Sequence, residues 1–378
     1  MLLDRRELLQ VGIGAALTGG AWSAFQPHPR PSESVESAPA YSVIPVVGDG
    51  KWIWTRPPKE GKGYLESRTY KVKIGIELEG IAEATELMST TTAPLEYPEQ
   101  KILEVQIETN GCEAQLRQLA PGAGQLILSA PQIAKGQVIS AVAHYTIQLF
   151  KQYHAYERDK FPEKQKLPND VKMGYLQDSP GIQTSSKQVR SLATELTEGQ
   201  SQHPWDMAQT FAKWVPKNIR PQLGSYTSVT TALDSRRGDC EEMAGVFVAL
   251  CRAMSIPARL IWVPNHAWAE FYLVDHDGQG HWIPAHTACY PWFGWTGAHE
   301  LVLQKGDRVR VPERYKTVRL MDDWLQWLGR QPRKRFIGEL TPEPDSPGAD
   351  AGPGARRKEP NGDWKPSGVH MLDKYIRR

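Results

Sequence analysis

Apolar and polar residues alternate from Thr69 to Leu78, with Tyr70, Val72, Ile74, Ile76 and Leu78 on one face. The same period of two recurs at Leu103, Val105 and Ile107, at Leu126 to Leu128, and at Ile139, Ala141, Ala143, Tyr145, Ile147 and Leu149. Side chains two apart share a face of an extended chain, so each run reads as a half-buried strand. Asn110-Gly111 and Pro121-Gly122 supply turns between them. The pattern predicts a small antiparallel β-sandwich over residues 63–158. Tyr156 to Asp170 is highly charged and holds two prolines, which marks a connector. Helical spacing then takes over at Lys187 to Leu196 and at Pro204 to Trp214, where Met207, Phe211 and Trp214 form a core-facing stripe.

Arg252 is the one charged residue from Met243 to Met254, and apolar side chains occupy every face, as in a helix enclosed by protein. Asp239 followed three residues later by Glu242 is a capping-box pattern, which places Asp239 at the N-cap and Cys240 at the first helical position; Pro257 ends the run. Alternation returns from Asn265 to Val274, with His266, Trp268, Glu270, Tyr272 and Val274 on one face. Asp275-His-Asp-Gly reads as a hairpin turn. Ala288 to Gly297 then packs in Tyr290, Trp292, Phe293 and Trp295, either as a groove wall or as a core-capping loop. From Lys305 to Gln331 the pattern predicts a short strand or turn followed by a helix carrying Trp324 and Trp327. Arg330, Arg333, Lys334 and Arg335 read as the end of that helix or a linker. Thr341 to Lys365 is rich in Pro, Gly, Asp and Arg, the composition of a disordered tail.

The N-terminus carries paired arginines, Arg5-Arg6, before an apolar Gly- and Ala-rich run from Val11 to Phe25, with small residues at Ala21 to Ala24. That is the form of a twin-arginine export signal, and it implies an exported protein of the bacterial periplasm or envelope. The expected organisation is a signal segment at 1–26, a linker at 27–62, the sandwich at 63–158, a second domain at 159–338 and the tail at 339–378. Any membrane contact would run through the N-terminal segment if it is not cleaved.

A chain of 378 residues with 40% hydrophobic and 9% aromatic content builds substantial cores. Its formal net charge of +2 offers no electrostatic case for a nucleic-acid partner. The cysteines stand at 112, 240, 251 and 289; a nucleophilic Cys240 has to stay free, which leaves an odd number, and no disulfide is required. His276, His281 and His286 recur every five residues, a spacing that alternates faces of a strand, so neither a metal site nor any other cofactor is expected.

A cysteine at a helix N-terminus sits where free N–H groups and the helix dipole favour thiolate and can bind a developing oxyanion. Cys240 is thus the candidate nucleophile, and His266, leading a strand, the candidate base. Gly238-Asp239-Cys240, Arg252-Ala253, Ile256-Pro257-Ala258-Arg259, His266-Ala267-Trp268 with Glu270, and Trp282 follow in order. Together they resemble the transglutaminase-like domain, a papain-like cysteine fold with a Cys, His, Asp triad. The resemblance covers roughly residues 200 to 290. It implies an α+β chain in which the sandwich precedes a domain whose buried nucleophile helix packs on an antiparallel sheet. It also implies that Cys240 attacks an amide and His266 moves the proton.

The family's third residue falls, after Trp282-Ile-Pro-Ala, on His286. A five-residue loop at 274 to 278 would set His286 directly opposite His266, able to accept a hydrogen bond and fix the base's tautomer but without a negative charge. Glu270 is no obvious substitute, because four residues of strand separate it from His266 by about 13 Å. Gln222, Ser225 and Tyr226 are candidates to line the oxyanion site. Two functions are consistent with these residues. One is an exported cysteine peptidase, amidase or transglutaminase-type acyltransferase acting on a peptide or protein through an acyl-thioester on Cys240. The alternative is a fold with weakened chemistry that serves as an envelope binding or interaction module.

Overall fold

A computed structural model describes residues 61–222, 226–264, 266–288 and 292–343, with the backbone of Arg356–Lys358 and Trp364–Pro366 as a short antiparallel pair. The signal and linker segments expected at 1–26 and 27–62, apart from 61 and 62, lie outside the described residues. Six strands open the chain: β1 (Gly63–Glu79), β2 (Ala84–Ala93), β3 (Gln100–Asn110), β4 (Glu113–Leu119), β5 (Ala123–Ile133) and β6 (Val138–Tyr153). Five helices follow, α1 (Asn169–Tyr175), α2 (Lys187–Thr197), α3 (Pro204–Asn218), α4 (Val229–Ser235) and α5 (Cys240–Ala253), with a two-residue parallel pair, β7 (Arg220–Pro221) and β8 (Arg237–Gly238), beside α4. Then come β9 (Ala258–Val263), β10 (His266–Val274), β11 (Gly280–Ala285), β12 (Trp295–Thr296), β13 (Gln304–Lys305), β14 (Val309–Val311), β15 (Lys316–Val318), β16 (Trp324–Gly329) and β17 (Arg333–Pro342). The fold is α+β.

The alternating runs behave as their pattern dictates. Tyr70, Val72, Ile74, Ile76 and Leu78 are buried, as are Ile139, Ala141, Ala143, Tyr145, Ile147 and Leu149 opposite them. The β3 run departs from this: Leu103, Val105 and Ile107 are exposed. Among the described residues β3 pairs only with β6, so it is an edge strand and nothing covers its apolar face from the far side.

Two expectations about the C-terminal part are corrected. Trp324 and Trp327 lie on a strand, β16, paired antiparallel with β2, and not on a helix. β17 pairs with β1 along its length, so Arg333, Lys334 and Arg335 are strand residues, with Arg335 on Glu77 and Arg333 on Glu79. Residues 339–342, assigned to the tail, complete that strand.

These late strands join the two halves. One sheet runs in the order β11-β10-β9-β13-β5-β2-β16, with β4 also on β5, and so passes from the helical half into the sandwich. The bridge is Gln304, whose strand neighbours are Trp262 on β9 and Ala123 on β5. The helical half keeps its own core, in which α5 is buried nearly throughout among α2, α3, α4 and the Ala267, Ala269, Phe271 and Leu273 face of β10.

Candidate functional site

The site grows from the start of α5. Asp239 adopts an extended backbone, and its carboxylate accepts from Glu241 N at 2.8 Å, while Glu242 reaches back to accept from Asp239 N at 2.9 Å, closing the capping box. Glu242 is buried, and its other oxygen accepts from Thr227 N at 2.7 Å, which ties the preceding loop to the helix. A side chain at position 238 would place its Cβ 2.6 Å from the Glu242 Cβ, so glycine is required where the carboxylate folds back. Cys240 follows as the first helical residue, half-buried against the helical core. Burial, together with Glu242, pushes the Asp239 carboxyl up to about 8, and burial pushes Glu241 up to about 7 despite Arg319.

Of the three oxyanion candidates, Gln222 donates its backbone N–H to Gly238 O at 2.8 Å and accepts from Arg237 Nη1 at 3.1 Å through its side chain. This places it beside the loop that leads into Cys240, along a cleft of about 540 Å³ lined also by Thr227, Thr231, Ser235 and Glu242. The Tyr226 hydroxyl is engaged with Gly181 O at 2.9 Å, and its ring carries the Arg319 guanidinium 3.2 Å from its centre. Ser225 lies outside the described residues. Arg319, which pairs with Glu241, was not singled out in the sequence because it stands in a stretch with no periodic pattern.

His266 opens β10 and is buried, with no hydrogen-bond partner at Nε2 among the described residues; burial drives its pKa down to about 3. The resting imidazole is therefore neutral. His286 is near, but not as the sequence predicts. β10 and β11 pair with Ala269 opposite Ala285 and Val274 opposite Gly280, so the five-residue loop is 275–279, and His286 is level with Trp268 instead of His266. The shift of two positions preserves the face. The His286 ring lies flat on Trp268 at 4.6 Å between centres and faces His266 at 6.2 Å, with 28° between the planes. The expected His266–His286 hydrogen bond is not formed, since both His286 nitrogens are buried without partners among the described residues. Burial, and secondarily His266, hold His286 well below the usual imidazole range. Its backbone is fixed by His286 N donating to Trp292 O at 2.8 Å, with the Trp292 ring edge-on to the imidazole.

Other motif residues prove to be scaffold. Arg252, at the far end of α5, binds both Asp307 oxygens at 2.9 Å and the Ala258 carbonyl. Arg259 stacks 3.8 Å over Trp282 and donates to Glu270 at 2.8 and 2.6 Å. Glu270 also takes Lys305, and that fully satisfied role removes it from the chemistry. His281 lies on β11 and reaches back to the turn, where it meets Asp275 at 2.7 Å.

Residues 190–287 match the family model of the transglutaminase-like superfamily, and the chain carries a transglutaminase-like domain there. Over 76 residues it is 29% identical to the peptide-N(4)-(N-acetyl-beta-glucosaminyl)asparagine amidase of Yarrowia lipolytica, a match spanning 20% of this chain and 20% of that relative's length. A solved structure from Cytophaga hutchinsonii, described as a candidate cysteine protease, gives a TM-score of 0.50 at 16% identity over 74% of this chain and 99% of that one. That likeness is one of fold. A second solved structure, a candidate protease of Parabacteroides distasonis, gives a TM-score of only 0.25 at 11% identity over 63% of this chain and 49% of that one.

Proposed function

We propose, taking the transglutaminase-like domain as the premise, that this chain is a thiol enzyme that cleaves or transfers amide bonds of peptides or proteins. The observation that carries the reading is Cys240 at the first position of a capped, buried helix inside the matched segment. The Cys240 sulfur attacks the carbonyl carbon, and His266 takes the thiol proton and returns it to the departing amine. The acyl group stays on Cys240 as a thioester. Water then releases an acid, or an amine releases a new amide. The helix dipole favours negative charge at the start of α5, where the oxyanion forms. A neutral His266 is in the protonation state a base requires, but its imidazolium has to be created in buried surroundings.

A second reading, a binding or interaction module, is favoured by one observation: the third position holds a buried, unpartnered histidine in place of a carboxylate. The two are separated by acid-quenched intact-mass analysis after incubation with glutaminyl and peptide substrates. The enzyme reading expects an acyl adduct on Cys240 that is absent in Cys240→Ala and forms roughly 10²–10⁴-fold more slowly in His266→Ala. If no substrate gives an adduct and Cys240 alkylates like an ordinary thiol, the binding module replaces it.

We further propose that the protein acts outside the cytoplasm, exported by the twin-arginine route in folded form; the support is the Arg5-Arg6 pair and the apolar run that follows. Replacing both arginines by lysine is expected to retain the protein in the cytoplasmic fraction of a bacterial host. Unchanged export of that variant would refute the route.

A further inference from the structure

Behind the histidines lies a row of buried polar atoms that the mechanism above leaves without a use. Glu300, four residues before β13, is buried, and among the described residues neither carboxyl oxygen completes a hydrogen bond. The other buried carboxylates among the described residues each have a cationic or hydrogen-bonded partner: Glu99 and Glu270 pair with Lys305, Glu242 accepts from Asp239 N, Asp275 meets His281, and Asp307 meets Arg252. The Glu300 carboxyl faces the indole N–H of Trp268, whose nitrogen is likewise buried and short of a completed hydrogen bond. Trp268 in turn lies flat on His286, and His286 faces His266. Buried polar groups are almost always paired, so a run of orphans from Glu300 through Trp268 and His286 to His266 Nε2 marks a functional arrangement or trapped water.

We propose that Glu300 is the positioning acid of the histidine pair: its carboxylate, linked to His286 through Trp268, supplies the negative charge missing from the third position and stabilises the imidazolium formed on His266. This rests on the thiol chemistry proposed above. In the step itself the S–H bond of Cys240 breaks and an N–H bond forms on His266; Glu300 has already lost its O–H proton to solvent and changes no bond. Burial holds the Glu300 carboxyl up at about 8, so near neutrality the resting site is uncharged, and it becomes competent to hold a cation as Glu300 ionises. Charges on the surrounding elements do not substitute for it. Arg68 and Glu66 of β1 and Lys151 of β6 act on the neighbouring His299, itself held down to about 4 by burial. Arg259 and Lys305 are taken up by Glu270 and Glu99.

Two measurements on the full chain test this. The first is the pH dependence of Cys240 alkylation in the wild type, Glu300→Gln, Glu300→Asp and Trp268→Phe. The second is histidine side-chain NMR titration in Cys240→Ala with and without Glu300→Gln. Expected is a rise in alkylation through about pH 8 that Glu300→Gln displaces to the higher pH at which the thiol ionises unaided, with a roughly tenfold lower rate at pH 8, and a smaller displacement in Glu300→Asp. Trp268→Phe, which keeps the stacked ring but loses the N–H, is expected to displace the rise in the same direction, and it replaces Glu300→Gln if that variant does not fold. In Cys240→Ala, a step in the His266 and His286 resonances near the same pH is expected to vanish with Glu300→Gln. A folded Glu300→Gln that keeps both the rise at about pH 8 and the histidine step overturns the proposal. A silent thiol with a Glu300-dependent histidine step would instead keep the coupling and remove the enzyme reading.

Discussion

At the scale of single residues, the histidines impose a stability profile. His266 titrates near 3 in the folded protein and near 6.5 when unfolded, so between those values the unfolded chain binds the extra proton. The His266 contribution to stability therefore falls as pH drops below about 6.5, by about 1.4 kcal/mol per unit, and that of His286 has the same direction. Glu300 has the opposite sign: its folded pKa is raised to about 8, so its contribution is full at low pH and is lost as pH rises toward 8. Asp239, Glu241 and Glu300 oppose the histidines over this range, so urea denaturation at pH 4.5, 5.5 and 7 reads His266 as a difference: relative to His266→Gln, the wild type is expected to lose stability as pH falls, and an identical pH dependence in the two would mean that His266 is not buried as a neutral base. Of these residues, Cys240 and its cap were legible in the sequence because helix starts have a local code, and the capping box is a matter of spacing alone. Glu300 was not, since its isolation depends on Trp268 and on packing contributed by residues far away in the chain.

Elements were legible to the extent that their period was unbroken. β1, β6 and α5 follow directly from alternation and from apolar residues on every face, whereas over β2 and β4 no alternating run is read from the sequence. β16 misleads because Trp324 and Trp327 stand three apart, a helical spacing. A register irregularity between Gln326 and Leu328 breaks the alternation, and Leu325 and Trp327 pack into the sandwich core. The β10–β11 hairpin shows a finer limit. The sequence gives the length of the turn but not its first residue, and a shift of one at each end moves His286 by two positions along its partner strand. The register is set by the Asp275 carboxylate, which accepts from Asp277 N at 3.1 Å and Gln279 N at 2.8 Å and so closes the turn over 275–279. That shift puts Trp268, not His266, across from His286, and opens the route to Glu300.

At the scale of the molecule, the sandwich and the helical half keep separate cores but share a sheet, because the strands that complete the sandwich, β16 and β17, follow the helical half in the chain. All described residues fall in one compact unit. The shared sheet passes through β13, and there Lys305 is buried, pairs with Glu99 just before β3, donates to Glu270 of β10 at 3.2 Å, and lies 5.0 Å from the centre of the Tyr97 ring. One ammonium thus neutralises a carboxylate from each half, and burial makes both carboxylates costly without it. The Lys305→Met variant keeps the volume and removes the charge, leaving Glu99 uncompensated and Glu270 with Arg259 alone. It is expected to lose roughly 3–5 kcal/mol of stability. Because the sheet remains continuous, calorimetry is expected to show one cooperative transition in the wild type and in the variant, shifted to lower temperature in the variant. Two resolved transitions in the wild type would mean that the halves fold separately and that β13 does not couple them. In that case the polar row behind His266 would have to be held by the helical half alone, although β12, which pairs with β6 at Tyr153 and Gln152, and Tyr97, which packs beside Trp268, bind it to the sandwich.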